Sequence, residues 1–247
     1  MMKKNLFFSI LLAGLLFLNY SCQSNNSGKD ASQMIVKGKI EGLRKGTLYL
    51  QKMADSTLFT VDSTLINGTP EFEFKTPIET AEIFYLYLEK EDGDSLNDRI
   101  LFFGEKGTIE INTLLKTFES SAKIVGSKNQ ELLQEYISFN RKFNDQNLDL
   151  LKLYYESQAE GNAKRTDSVQ QKMDGLLKRR YLYTINFAAN NTDQNIAPYL
   201  ALTQVYDANV ALLDSIAVKM TPEVRDSKYG QELLRFIEKR RAAEDKN

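Results

Sequence analysis

The sequence predicts an α+β fold, in which an N-terminal antiparallel β-sandwich or barrel-like domain is followed by a helical hairpin and shorter helices. Between residues 34 and 112, apolar and polar residues alternate with the period of two that is typical of strands. Near Gly126 the period changes to the three- and four-residue spacing of amphipathic helices. A break at Gly161-Asn162 then separates two long apolar stripes. We therefore expect a β-rich domain at 34–126 and a helical domain at 127–247.

A lipoprotein signal peptide is predicted for residues 1–21. A lysine pair precedes the apolar run Leu6–Leu18, which is shorter than the ~20 residues of a transmembrane helix and suits a secretory signal. Ser21 supplies the small residue before Cys22, the only cysteine of the chain. In bacterial lipoproteins such a cysteine becomes the first mature residue and is acylated on sulfur and nitrogen, which anchors the protein stably. A plain secretory signal and an uncleaved anchor are the alternatives.

The segments that follow alternate between strand and turn signals. Residues 22–33 are polar and lack apolar periodicity, so they predict a flexible tether. Asn67-Gly68 tolerates positive φ angles and predicts a tight hairpin between 60–66 and 71–75. The predicted strands are 35–40, 46–51, 60–66, 71–75, 82–89, 99–103 and 108–112.

The helical domain begins at a predicted capping box, in which Ser127 is the N-cap and Gln130 reaches back to it. The first helix runs to about Glu160, and a second apolar stripe follows after a short break, so the two helices should pack as an antiparallel hairpin. Shorter helices are predicted at 196–206, 210–220 and 229–243.

Composition excludes several function classes. The chain has no histidine and a single cysteine, which excludes a Ser-His-Asp or Cys-His nucleophile and a CxxC redox pair, and leaves a zinc site without its usual ligands. The net charge of −1 becomes −3 when Lys3 and Lys4 leave with the signal peptide, so no basic field attracts nucleic acid. We predict no cofactor and no nucleic-acid partner.

A set of ordered landmarks resembles a known domain. They are Val36-Lys37-Gly38-Lys39-Ile40, Leu48-Tyr49-Leu50, Val61-Asp62-Ser63-Thr64, Phe72-Glu73-Phe74, Ile124-Val125-Gly126-Ser127 and Ser227-Lys228-Tyr229-Gly230. In this order they look like the N-terminal domain of unknown function that precedes thioredoxin-like modules of the TlpA/ResA type in lipoproteins of one group of Gram-negative bacteria. The resemblance implies a β-rich domain, a helical connector and then a disulfide reductase module. The sequence stops where that module is expected and has no CxxC pair, so we transfer the architecture and not the activity.

Five Asp-Ser pairs, each followed by a small or apolar residue, resemble the short acceptor motif for O-linked sugars on exported proteins of the same bacterial group. Asp-Ser is also common in turns and helix caps, which is the alternative interpretation. The candidate O-glycosylation sites are Ser56, Ser63, Ser95, Ser168 and Ser215.

Three other features are weaker candidates for a functional site. The acidic loop 91–98 offers oxygen ligands for a hard cation, but it lacks the EF-hand spacing and is better explained as a hairpin tip, so we predict no metal site. Asp62 has no second catalytic group beside it. Aromatic residues on both long helices suit either a ligand groove or simple core, and core is favoured; Tyr155 and Tyr183 fall off the main stripes. No catalytic residue is predicted.

Three functional hypotheses follow. The first is a non-catalytic membrane-anchored lipoprotein of the outer membrane, facing the periplasm or the cell surface, that acts as an envelope interaction or binding module. Its partners would be the lipid bilayer, through acylated Cys22, and an envelope protein. The second, motivated by the resemblance, is an accessory subunit working in trans with a thioredoxin-like thiol-disulfide oxidoreductase. The third is a carboxylate-dependent hydrolase, because only Asp and Glu remain for acid and base catalysis.

Overall fold

A computed structural model of the protein describes residues 33–54, 57–90 and 99–244. Eight strands come first in these described ranges, and the predicted β-rich region is confirmed. They are β1 (Gln33–Glu41), β2 (Lys45–Ala54), β3 (Thr57–Asn67), β4 (Glu71–Pro77), β5 (Glu82–Lys90), β6 (Arg99–Gly104), β7 (Gly107–Leu114) and β8 (Lys123–Val125).

The strands form two four-stranded sheets, with the orders β4-β1-β7-β8 and β3-β2-β5-β6. All neighbouring strands pair antiparallel except β1 and β7, which are parallel. The inward-facing side chains of both sheets form one apolar core, as alternation along each strand requires. Its largest fully buried members include Phe74, Phe84, Phe102, Met34 and Ile40.

Two details of strand pairing differ from the sequence prediction. The turn at Asn67-Gly68 forms, with Gly68 at φ 97°, but β3 pairs with β2 and β4 pairs with β1. The predicted ladder between 60–66 and 71–75 is therefore wrong, because this turn carries the chain from one sheet to the other. Strand β8 is also absent from the predicted strands, since its three residues are too few to show an alternating pattern.

Six α-helices complete the described chain after a short 3-10 helix at Leu115–Thr117, and the predicted α+β class is confirmed. They are α1 (Lys128–Ala159), α2 (Ala163–Asn190), α3 (Ile196–Gln204), α4 (Val210–Ala217), α5 (Pro222–Asp226) and α6 (Lys228–Glu244). Gly161, at φ 67°, ends α1, and the Asn162 side chain caps α2, so the two long helices form the predicted hairpin. Helix α5, which begins at a proline, lies between the helices predicted at 210–220 and 229–243 and was not predicted.

The shorter helices enclose a second apolar core with the end of α2, around Ala201, Val205, Leu213, Ile216 and Leu233. A third cluster joins the helices to the outer side of β5 and β6, where Ile83 and Phe103 contact residues of α1, α3 and α6. This part of the second sheet is therefore covered on both faces. None of the helices that the structure describes is long and apolar enough to cross a membrane.

Candidate functional site

Aromatic rings fill the space between α1 and α2 where the hairpin leaves the sandwich. The rings of Phe139 and Tyr183 stack with centroids 3.6 Å apart and planes 11° from parallel. The hydroxyl of Tyr136 hydrogen-bonds with Oγ1 of Thr184 over 3.1 Å. Burial raises the pKa of both tyrosines. Tyr183 is therefore part of the packing between the helices, as the core interpretation predicts for this aromatic set.

Beyond this aromatic cluster the hairpin is far less buried, and we call residues 137–182 the arm. In the part of α1 that belongs to the arm, all of which the structure describes, Ser157 is the only buried residue. In the corresponding part of α2 the buried residues are Val169 and Leu176. The arm is thus a two-helix element whose sides are open to solvent.

The tip of the arm is held by polar contacts. The Asn162 side chain accepts a hydrogen bond from the Arg165 backbone N–H at 3.1 Å. The Arg165 guanidinium donates to both carboxylate oxygens of Glu160, at 2.9 and 2.7 Å. The hydroxyls of Ser157 and Thr166 join the two helices over 2.9 Å. Each exposed contact is worth little alone, but together they fix the turn between the helices.

One side of the arm carries exposed apolar residues at helix-packing spacing. On α1 the stripe alternates steps of four and three residues, so its members lie on one side of the helix. Its residues are Ile137, Arg141, Asn144, Leu148, Leu151 and Tyr155. Leu148 is 62% exposed and Tyr155 is 61% exposed.

A cavity of about 250 Å³ lies between the helices on this side. Asn144 of the α1 stripe lines it, and Leu177 of α2, which is 61% exposed, lines it from the other helix. We call the α1 stripe and the residues that line this cavity the open face. The lining residues are Phe143, Asn144, Asn147, Gln170, Met173, Asp174, Leu176, Leu177 and Arg180.

The charged groups of the open face are mostly cationic. Arg141 stands in the α1 stripe and Arg180 lines the cavity from α2. Neither guanidinium forms an ion pair with any residue that the structure describes. Asp174 is the carboxylate among the cavity-lining residues, and it accepts a hydrogen bond from Gln170 Nε2 at 2.8 Å.

The other side of the arm is polar. A wider cavity of about 640 Å³ is lined there by Asp149, Lys172 and Arg179, with Gly175 in its wall. Ser168, one of the candidate glycosylation sites, lines the same cavity and is exposed. We call this side the polar face. Leu182 belongs to it, because it follows Gly175 by seven residues and Arg179 by three.

Buried polar side chains tie the helices to the sheets. Gln130 Oε1 accepts a hydrogen bond from the Phe103 backbone N–H on edge strand β6 at 2.8 Å. The Tyr229 hydroxyl accepts from the Ile83 backbone N–H on β5 at 3.0 Å. At the Phe103 and Ile83 amides the helices thus supply acceptors where strand neighbours are absent. Asn129 Oδ1 accepts from the Ile196 N–H at 2.9 Å and joins α1 to α3.

A charged cluster adds to this attachment. Glu82, whose side chain is 9% exposed, binds Lys52 at 2.7 Å and Lys228 at 2.6 Å. The Glu105 carboxylate accepts from the Lys128 backbone N–H at 2.7 Å and from Asn129 Nδ2 at 2.6 Å, at the N-terminus of α1, where the helix dipole favours negative charge. These contacts hold α1 and α6 against the strands.

A polar cleft of about 360 Å³ opens beside this attachment. Glu79, Asp193 and Glu223 line it together with Lys106. Asn195 also lines it, and its buried Oδ1 has no hydrogen-bond partner among the described residues. Within the described ranges, no group of three or more acidic, histidine or cysteine side chains is arranged to hold a metal ion.

The sequence-predicted site residues do not come together in the described chain. Cys22, Ser56, Ser95 and the loop 91–98 lie outside the described residues. Of the remaining serines, Ser63 is exposed on edge strand β3 and its backbone N–H donates to Asp62 Oδ1 at 2.7 Å. Ser168 lies on α2, and exposed Ser215 on α4 donates its hydroxyl to the Leu212 carbonyl at 2.6 Å.

The open face was not predicted from the sequence. Its signal was available, because Tyr155 falls off the main apolar stripe of α1 and belongs instead to the second stripe that begins at Ile137. A helix with two apolar stripes packs one stripe against its hairpin partner and presents the other elsewhere. A prediction that assigns one apolar stripe to each helix does not include this surface.

Comparison with known protein families gives one match. Residues 34–133 match the family model described as Domain of unknown function (DUF4369). The predicted resemblance to an uncharacterised N-terminal domain is therefore confirmed for this region. The DUF4369 match covers the strands and the first residues of α1, including Gln130, and the arm lies beyond it. No curated protein and no solved structure matched the chain.

Proposed function

We propose that this protein is a non-catalytic lipoprotein, anchored in the outer membrane through Cys22, whose arm binds a helical segment of another envelope protein. The observation that carries the proposal is the open face, where Leu148, Tyr155 and Leu177 are each more than 60% exposed. Apolar side chains at this spacing pack against a further helix in helical bundles. A partner helix laid between α1 and α2 would complete a three-helix arrangement.

Energetics suggest why an anchor would matter for such binding. Fully burying a large apolar side chain stabilises a complex by about 1.5–3 kcal/mol, so three of them contribute roughly 5–9 kcal/mol. Association costs an estimated 4–15 kcal/mol in lost freedom of motion. The apolar residues alone therefore give modest affinity. Attachment of both proteins to the same membrane raises the effective concentration of the partner helix at the arm, which compensates for the modest affinity.

Two further features support an interaction module. The chain lacks histidine and has a single cysteine, which is assigned to the lipid. The polar segment 22–33 would give the folded part reach above the bilayer. The resemblance to domains that precede thioredoxin-like modules makes a thioredoxin-like protein one specific partner to look for.

Site-specific photocrosslinking in cells tests the proposal. A photoreactive amino acid is placed at Leu177 on the open face or, as the matched control, at Leu182 on the polar face; both are exposed leucines of α2. We expect a discrete protein adduct from position 177 and none from position 182. Mass spectrometry of the adduct should locate the crosslink in a partner segment with apolar residues at three- and four-residue spacing.

Several outcomes would overturn the proposal. Equal adducts from both positions, adducts only with lipid, or adducts only with a second copy of this chain would each contradict helix docking at the open face. The anchor is tested by Cys22→Ala, which should remove the protein from the membrane fraction and reduce the adduct at position 177. An unchanged membrane fraction would refute the lipid anchor. Capture of a thioredoxin-like protein through such a helical segment would establish the accessory-subunit form of the function.

A further inference from the structure

We propose that the helix bound by the open face carries carboxylates along its flanks, so that the arm selects an acidic amphipathic helix of a partner protein. This inference rests on the proposed function and adds the chemistry of the partner. It follows from the position and the pairing of the charged groups on the arm.

Two arginines stand beside the apolar residues that would contact the helix. Arg180 lines the cavity from α2, and Arg141 lies in the α1 stripe that also contains Asn144, which lines the cavity from the other helix. Both lack ion-pair partners among the described residues. The planar guanidinium binds carboxylates through two parallel hydrogen bonds, which suits it to an interface better than a lysine.

The charge of the whole arm points the same way. Residues 137–182 contain nine Lys and Arg and six Asp and Glu, so the arm carries +3 while the full chain carries −1. Positive charge is thus concentrated on the element with the unpartnered apolar face. A negatively charged partner would be steered toward it, and a second copy presenting the same face would be repelled.

Cavity shape and lining favour a helix over a lipid surface. A basic amphipathic element can also lie on an anionic bilayer, but here the cavity is recessed between two helices and lined by Asn144, Asn147 and Asp174 as well as apolar residues. Insertion into lipid would desolvate these amides and the Asp174 carboxylate, and the acyl chains would offer them no new hydrogen bonds. The side chains of a docked helix can fill the recess and also satisfy its polar rim.

Two synthetic probe peptides test the inference on the full chain. Both have about three heptads with leucine at positions a and d. One has glutamate at the flanking positions and the other has lysine. Repulsion between like charges therefore opposes self-association equally in the two peptides. We expect the acidic peptide to bind at least about tenfold more tightly than the basic one, and this preference to shrink as salt is raised.

Charge-reversed variants locate the effect. Arg180→Glu should abolish or invert the preference for the acidic peptide, and Arg141→Glu should weaken it. The matched control is Arg179→Glu, which changes the net charge equally on the same helix but lines the cavity of the polar face. Arg179→Glu should leave most of the preference intact, and circular dichroism should show that all three variants are folded.

The outcomes separate this inference from the proposed function. Tight binding of both peptides without preference, or a preference for lysine, would refute the acidic partner and leave helix docking in place. No binding of either peptide, together with crosslinks at neither position, would refute both. Binding to vesicles of phosphatidylethanolamine and phosphatidylglycerol that Leu177→Glu abolishes, with no peptide bound, would show instead that the open face serves a membrane.

Discussion

The hydroxyl of Tyr229 should contribute measurably to the stability of the fold. Strand β2 pairs with β5 only as far as Phe84, so the Ile83 backbone N–H has no strand acceptor on that side. The Tyr229 hydroxyl oxygen accepts the hydrogen bond from the Ile83 N–H instead, at 3.0 Å and in a buried position. Burial raises the pKa of this hydroxyl. Tyr229→Phe keeps the ring against Phe103 and removes only the acceptor.

We expect Tyr229→Phe to lower the free energy of unfolding by about 1–3 kcal/mol, the cost of leaving a buried donor without a partner. For a chain of this size each kcal/mol corresponds to a shift of about 2–4 °C in Tm. Urea unfolding followed by circular dichroism should show a lower midpoint with an unchanged slope. Amide hydrogen exchange at Ile83 should accelerate in the same variant.

Tyr136→Phe is the matched comparison. It also removes a buried hydroxyl, but the Thr184 hydroxyl then still donates to the Arg180 carbonyl at 3.0 Å. Because no donor is left unpaired, we expect a loss below about 1 kcal/mol. Equal destabilisation by the two variants, or unchanged exchange at Ile83 in Tyr229→Phe, would refute the claim that Tyr229 completes the hydrogen bonding of β5.

Two further predictions concern the helices. Gly175→Ala should raise the free energy of unfolding by about 0.5–1 kcal/mol, because alanine favours the helix and the new Cβ would meet only the Arg179 side chain, at 3.9 Å. Gly230→Ala should instead lower the free energy of unfolding, because its Cβ would lie 2.0 Å from the Val224 carbonyl oxygen. Thermal unfolding of both variants against wild type checks this pair, and a Gly175→Ala variant less stable than wild type would contradict it. Burial raises the pKa of Tyr199 from 10.0 to about 12, so its contribution to stability is fully present below about pH 10 and lost as the pH rises through about 12. Urea midpoints across this range should fall with pH, and less steeply in Tyr199→Phe; parallel slopes would show that Tyr199 is not responsible.

Alternation along the strands was sufficient to predict most of the fold, but not which strands pair. The Asn67-Gly68 turn predicts a hairpin from local conformation alone, since positive φ at the turn is a local property. Pairing depends instead on which apolar faces meet, and here the chain changes sheets at the turn. The parallel pairing of β1 with β7 joins residues more than seventy positions apart, which no local pattern reports.

Gln130 shows how a correct local prediction can miss the tertiary role of a residue. Ser127 caps α1 as predicted, accepting a hydrogen bond from the Gln130 backbone N–H at 3.0 Å. The Gln130 side chain, however, binds the Phe103 N–H instead of reaching back to Ser127. The edge of β6 offers a buried donor that would otherwise lack a partner, and satisfying it outweighs closure of the capping box.

The polar contacts between helices and strands bear on how the arm would bind. Detaching α1 and α6 from the sheet would leave the Phe103 and Ile83 amides without acceptors and would expose the apolar cluster on the outer side of β5 and β6. Such a detached state is costly, so the end of the arm next to the sheets, which we call its root, is held in place. The hydrogen bond at Asn162 holds the tip of the arm. A binding surface that is already ordered loses little conformational entropy on association. The ordering cost of the complex would then fall mainly on the partner helix, and substitutions that loosen the root, such as Gln130→Ala, should weaken peptide binding without altering any residue of the open face.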